Sequence, residues 1–292
     1  MTSERTSTPA SLVTQRDEAG TPPVIDAAFA RWLAERAGHL LLSVRAEVGY
    51  ADAKALKTAG DRAAHDLLRT ELARWRPADA VLSEEDDHAR VAWEEGEPAA
   101  RPERLESSRV WIVDPLDGTR EFSEEGRTDW AVHVALWTAD SSSPGRLAAG
   151  AVAMPAQHRT IATDQPPAYP PMPLGDGQAL RIAASRTRPP GFVVALAEEL
   201  GAELVPMGSA GVKIAAVISG EADAYVHAGG QYEWDSAAPV AVALATGLHA
   251  SRIDGSALKY NEADPKLPDL VVCRKDLAPR LLAALQRHLP SQ

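Results

Sequence analysis

The chain has 292 residues, 45% hydrophobic and 24% charged, which suits a globular protein with one large core or two modest ones. A formal net charge of -11 argues against a general nucleic-acid binder, which needs a basic stripe to neutralise phosphates. The single cysteine, Cys273, excludes an internal disulfide framework and a multi-cysteine zinc site; after Leu270, Val271 and Val272 it is expected in a buried strand.

Residues 1–23 lack the apolar segment of a signal peptide and read as a flexible tail. No run is apolar enough to cross a membrane, and a cytoplasmic location is expected. Over 24–48, apolar residues at helical spacing (Ile25, Phe29, Trp32, Leu33, Leu40, Leu41, Val44) predict an amphipathic helix. A polar link with Lys54 and Lys57 comes next. A second helix then starts at Asp61, whose simplest role is that helix's N-cap, and His65 reads as a surface or packing residue. Ala80, Val81 and Leu82 form a short strand that empties into Ser83-Glu84-Glu85-Asp86-Asp87, an acidic run of a kind usually solvated. Residues 93–108 look like an irregular excursion.

Trp111, Ile112 and Val113 then end a buried strand, stopped by Pro115 and Gly118. Asp114 and Asp117 leave the sheet edge together, close enough to repel unless a proton or a hard cation intervenes; a solvated acidic turn is the plainer alternative. The Gly118 and Thr119 amides lie where a short helix can open, and free N–H groups there favour phosphate. Strands are expected over 130–137, 147–154 and 160–163, with a turn at 140–145. Residues 165–177 hold five prolines and two glycines and read as a linker. Strands near 180–184, 202–205, 222–226 and 270–273 then alternate with helices near 192–200, 212–218, 234–246 and 277–288, an α/β pattern. The expected organisation is a 24–164 α+β domain, a 165–178 linker and a 179–292 α/β domain carrying Asp235.

Three acidic groups thus stand at element ends: Glu84-Glu85, Asp114 with Asp117, and Asp235. Carboxylates, a backbone carbonyl and water are the ligands magnesium prefers, and no histidine–cysteine set suggests zinc. Asp235 alone is most simply a helix cap. Together, D-P-L-D-G-T at 114–119 and W-D-S-A-A at 234–238, with the acidic pair after a strand, resemble the lithium-sensitive, magnesium-dependent inositol monophosphatase superfamily. Arg120-Glu121-Phe122, Gly208-Ser209 and Lys213 make the chain similar to its CysQ-type 3'-phosphoadenosine 5'-phosphate phosphatases, and 130–133 and 228–234 to actinobacterial members.

The resemblance implies a layered αβαβα sandwich and hydrolysis of 3'-phosphoadenosine 5'-phosphate to AMP and phosphate by a metal-activated water. It also implies a place in sulfur assimilation, lithium inhibition, and a monomer or homodimer. It assigns two or three Mg2+ ions to Glu84, Asp114, the Leu116 carbonyl, Asp117 and Asp235. Asp61 and Thr119, with Glu84 nearby, would handle the attacking water. Gly118 and Thr119 would hold the phosphate, and Arg120, Ser209, Lys213 and His227 would meet the second phosphate or the purine. Two departures are visible: Ser83 where glycine usually precedes the acidic pair, and Gly60 where alanine is common. The rival readings are inositol phosphate or fructose 1,6-bisphosphate as substrate, and a catalytically silent nucleotide-binding regulator. A haloacid-dehalogenase mechanism fails, because Pro115 stands where its nucleophilic aspartate would be.

Overall fold

The computed structural model describes residues 20–85, 103–140, 143–171 and 179–288. Most of the expected tail, Asp86 and Asp87, most of the expected excursion and the second half of the expected linker lie outside them. In chain order the elements are α1 (Asp26–Val48), α2 (Ala53–Trp75), β1 (Ala80–Ser83), a 3-10 turn (Glu103–Glu106), β2 (Arg109–Asp117), α3 (Thr119–Phe122), β3 (Ala131–Asp140), β4 (Ser143–Met154) and β5 (Arg159–Ala162). Then come β6 (Arg181–Ser185), α4 (Gly191–Leu200), β7 (Glu203–Met207), α5 (Ala210–Ser219), β8 (Ala224–Tyr232), α6 (Glu233–Thr246), β9 (His249–Ser251), β10 (Lys266–Cys273) and α7 (Ala278–His288). The first sheet has the order β1-β2-β3-β4-β5, parallel only between β1 and β2. The second has the order β7-β6-β8-β10-β9, with β6 parallel to both its neighbours and β10 antiparallel to both of its own.

Both sheets are covered on both faces, so their strands read as apolar runs whose alternation sorts residues between two cores. In β2, Trp111 and Val113 face α1 and α2, whereas Val110 and Ile112 face a central core shared with α5 and α6. In β10, Leu270 and Val272 join that central core, while Val271 and Cys273 pack toward α4 and α7. The result is five layers, helix–sheet–helix–sheet–helix, as the sequence motifs imply. Residues 210–218 of α5 are buried throughout, as a middle-layer helix with no water-facing side must be.

Three sequence expectations need correction. The link carrying Lys54 and Lys57 is helical: α2 starts at Ala53, and Asp52 caps it by accepting from the Lys54 and Ala55 amides at 2.9 Å. Asp61 therefore sits inside the helix and does not cap it. Pro115 does not end β2, which runs on to Asp117 through a break in its pairing with β3. The second half keeps the expected α/β alternation, as a mixed sheet with one further short strand, β9.

Gly60 lies inside α2. It belongs to a stripe of buried residues spaced four apart (Leu56, Gly60, Ala64, Leu68, Leu72). Its missing side chain admits α3: a Cβ there would lie 2.6 Å from the Phe122 ring and 3.1 Å from Leu116. Helix propensity alone favours alanine by about 1 kcal/mol, but overpacking a tight core costs about 1–3 kcal/mol. Gly60→Ala is expected to lower stability in denaturant titration; a gain would show that Phe122 yields freely.

Candidate active site

The site begins with a problem of parity. Residues three apart on a regular strand point to opposite faces, yet Asp114 and Asp117 must share one. In the pairing of β2 with β3, Asp114 faces His133 and Asp117 faces Ala131, so three steps on β2 match two on β3. This bulge at Pro115 and Leu116 supplies the extra residue and turns both acids the same way. The Leu116 amide donates to Asp114 Oδ1 at 2.9 Å, and Thr119 Oγ donates to the Leu116 carbonyl at 3.1 Å. Gly118, at φ 87°, turns the chain into α3.

The fold brings Asp235 and Glu84 to the same place. Asp235 lies in the first turn of α6, where Oδ2 accepts from the Tyr232 amide at 2.6 Å. The expected N-cap role is corrected: Tyr232 is the N-cap of α6, and Asp235, two residues inside the helix start at Glu233, bonds back to the cap's amide with one oxygen. Glu84 follows β1, with its carboxyl close to that of Asp114. Burial first, and then the charges of Glu84, Asp117 and Asp235, push the Asp114 carboxyl well above the ordinary carboxylate range. Asp235 is pushed up by burial and then by Asp117. Glu84 is raised to about 7, chiefly by burial and further by Glu85, Asp117 and Asp61. Asp61, one helical turn beyond Lys57, is also raised to about 7, by burial and by Glu85.

Asp117 is anchored on one side only. Its Oδ2 accepts from Ser209 Oγ at 2.6 Å and from the Gly211 amide at 2.7 Å, while no partner to Oδ1 is present among the described residues. Ser209 is committed twice, since the same hydroxyl accepts from the Val212 amide as the N-cap of α5 at a backbone φ of 35°. Such a conformation is costly for a residue with a side chain and persists only where its surroundings enforce it. Lys213 is buried, donates to the Ser209 carbonyl at 3.0 Å and lies over the Tyr225 ring; burial lowers its pKa. Arg120 is exposed and lines one cleft with Ser209 and Lys213. His227 is turned to the Gly229 carbonyl and does not line that cleft.

Sequence reasoning passed over His133, which is fully buried beneath the acids. Its Nδ1 is 3.1 Å from the Trp234 carbonyl and so carries the proton, while Nε2 has no hydrogen-bond partner among the described residues and stands 3.3 Å from Asp117 Oδ2. Burial lowers its pKa and favours the neutral ring, so a lone pair faces a carboxylate. Ligand atoms of Asp114, Asp117 and His133 lie within 4.8 Å of one another. An orphaned nitrogen beside carboxylates that repel is a donor set that fits a cation, and the fit is dominated by oxygen. No signal in the apolar run of β3 marks His133, because its partners come from β2 and α6. Glu121 and Arg186 were also passed over as a pair: Arg186 Nη2 donates to Glu121 Oε1 at 2.9 Å and to Glu124 at 3.0 Å. Ser83, the departure beside Glu84, is buried with its hydroxyl 3.3 Å from His65 Nδ1, which makes His65 a packing residue.

The inositol monophosphatase family model matches residues 25–169 and 177–289, and the chain belongs to that family. It is 50% identical over 265 residues to the 3'-phosphoadenosine 5'-phosphate phosphatase of Mycobacterium leprae (strain TN), covering 89% of this chain and 93% of the relative. With the 3'(2'),5'-bisphosphate nucleotidase CysQ of Escherichia coli (strain K12) it shares 29% identity over 210 residues, 70% of this chain and 78% of the relative. Among solved structures, Mycobacterium tuberculosis SuhB superposes with a TM-score of 0.64 at 23% identity, covering 92% of this chain and 98% of that one. Inositol monophosphatase II of Staphylococcus aureus MSSA476 gives 0.66 at 20% identity, covering 88% and 94%. These likenesses show the fold. No helix among the described residues is long and apolar enough to cross a membrane.

The raised carboxyls set a pH signature. Glu84 keeps its proton in the fold up to about 7, whereas unfolded it releases it near its ordinary value of 4.5. Between these values the folded state binds more protons, so the group's favourable share of stability is complete at low pH and fades as pH rises. Glu84→Gln is therefore expected to raise the unfolding midpoint of the metal-free protein at pH 8 and leave it nearly unchanged at pH 4. Thermal melts in chelator check this, and a lower midpoint at pH 8 would refute it.

Proposed function

We propose that the protein is a magnesium-dependent 3'(2'),5'-bisphosphate nucleotidase that converts 3'-phosphoadenosine 5'-phosphate to AMP and phosphate, working in the cytoplasm. The observation that carries this reading is the meeting of the buried Asp114 and Asp117 with the half-buried Glu84 and Asp235, whose mutual repulsion a hard cation would relieve. The relative at 50% identity, named for that substrate, supports the choice of nucleotide.

In this reading Asp114, Asp117, Asp235, Glu84 and the Leu116 carbonyl hold two or three magnesium ions. When bound, they would neutralise the phosphate and acidify water. The chain's own groups do the rest. The first-turn amides after Gly118 have no helical partner and receive phosphate oxygens. The Thr119 hydroxyl, fixed by its bond to the Leu116 carbonyl, offers its oxygen to the incoming water. Asp61, raised to about 7, is matched to accepting a proton near neutral pH. Glu84 lies beside it to share that load. Asp117 is steadied by Ser209 and Gly211, so its free oxygen is presented in one orientation.

Asp114→Asn is expected to lower kcat by about a thousandfold or more, the scale of losing one electrostatic contact to developing charge, while the fold survives. Initial rates combined with circular dichroism check it; a near-normal rate would remove Asp114 from the site. Initial rates at equal concentrations of 3'-phosphoadenosine 5'-phosphate, inositol 1-phosphate and fructose 1,6-bisphosphate should favour the nucleotide, and a preference for inositol 1-phosphate would overturn the substrate.

A further inference from the structure

Beside the acidic site lies a cleft of about 400 Å³ whose wall has the opposite sign to the rest of the molecule. Four cations line it, Arg120 from α3, Arg186 and Arg188 after β6, and Lys213 from α5, against one acid, Glu121. In a chain of net charge -11 such a concentration is local, and it attracts an anion only at short range.

The four cations are not equivalent. Arg186 is spent on Glu121 and Glu124, so it ties α3 of the first sheet's side to the loop that follows β6 of the second. Lys213 is buried and bonded to the Ser209 carbonyl. Arg120 and Arg188 are exposed and have no acidic partner among the described residues. The Arg188 backbone is held in place, its amide donating to Ser185 Oγ at 3.3 Å. Met207 is the one apolar side chain in the wall, so a purine would find little to stack on, whereas a phosphate would find several donors. The cleft adjoins the reacting site through Ser209, whose hydroxyl touches Asp117.

We propose that this cleft is the subsite for the non-reacting phosphate of a nucleoside bisphosphate, with Arg188 as its specificity-determining residue, Arg120 as its second cation and Arg186 as the strut that shapes it. The proposal rests on the nucleotidase reading and adds the residues that select a doubly phosphorylated substrate over a monophosphate. Arg188 acts on recognition and not on the reacting atoms, so its loss appears in KM more than in kcat.

The test compares kcat/KM for 3'-phosphoadenosine 5'-phosphate with that for adenosine 3'-monophosphate, in the natural protein, Arg188→Ala and Arg188→Lys. The ratio of the two is expected to fall about tenfold or more in Arg188→Ala, the effect of one charge-assisted contact, and to recover in part in Arg188→Lys. An unchanged ratio would overturn the assignment. If the natural protein hydrolyses neither nucleotide, the nucleotidase reading fails, and calorimetry with 5'-AMP still judges the cleft. Binding about tenfold weaker in Arg188→Ala supports the subsite, and equal binding overturns it.

Discussion

The charges of half-buried Glu84, just after β1, and of half-buried Asp235 in α6 bear on the buried Asp114 and Asp117 of β2, and this conflict organises the molecule around it. Buried like charges are tolerated only with protons or a cation between them. The fold holds them together regardless: β2 is packed on both faces, its bulge aims two acids one way, and α6 enters the central layer with Asp235 in its first turn. Ionised, these acids work against the fold at this point, and the Asp114, Asp117 and His133 group among them could hold a metal ion.

The parts of this arrangement that the sequence reveals are those written in contiguous residues. The turn at Gly118 places Asp117 at the end of β2, and the helix beginning near Asp235 holds that acid in its first turn, through local preferences of glycine and apolar residues. The five-layer plan is less direct, since apolar strands do not say what covers them; here it came from the motif resemblance and not from periodicity. Asp61 was misplaced because aspartate is a favoured helix cap and the polar residues before it read as a link; Gly60 lies within the same helix. Its tolerance inside α2 depends on Phe122, distant in sequence, occupying the space a side chain would need. The bulge at Pro115 was read as a stop for a similar reason, because whether a strand resumes depends on the partner strand.

What the sequence hides altogether are pairings across long separations. His133 sits in an apolar strand like many satisfied core histidines, and its meaning appears only when residues 117 and 234 arrive beside it. Glu121 and Arg186 are 65 residues apart and belong to different layers. Their contact closes the side of the molecule where phosphate would lie, so the same ion pair that joins the two sheets also shapes the cationic wall.

The middle layer has one more consequence. An element walled in on every side loses its amide protection only when the whole structure opens, whereas a four-residue strand at a sheet's rim frays readily. Asp235 rides on α6, most of whose residues are buried, and Glu84 follows the short strand β1, at the sheet's margin beyond β2 among the described residues. Hydrogen exchange would accordingly divide the carboxylate cage into a slow half and a fast half, so that partial opening unseals it from the Glu84 side while the other three acids keep their places.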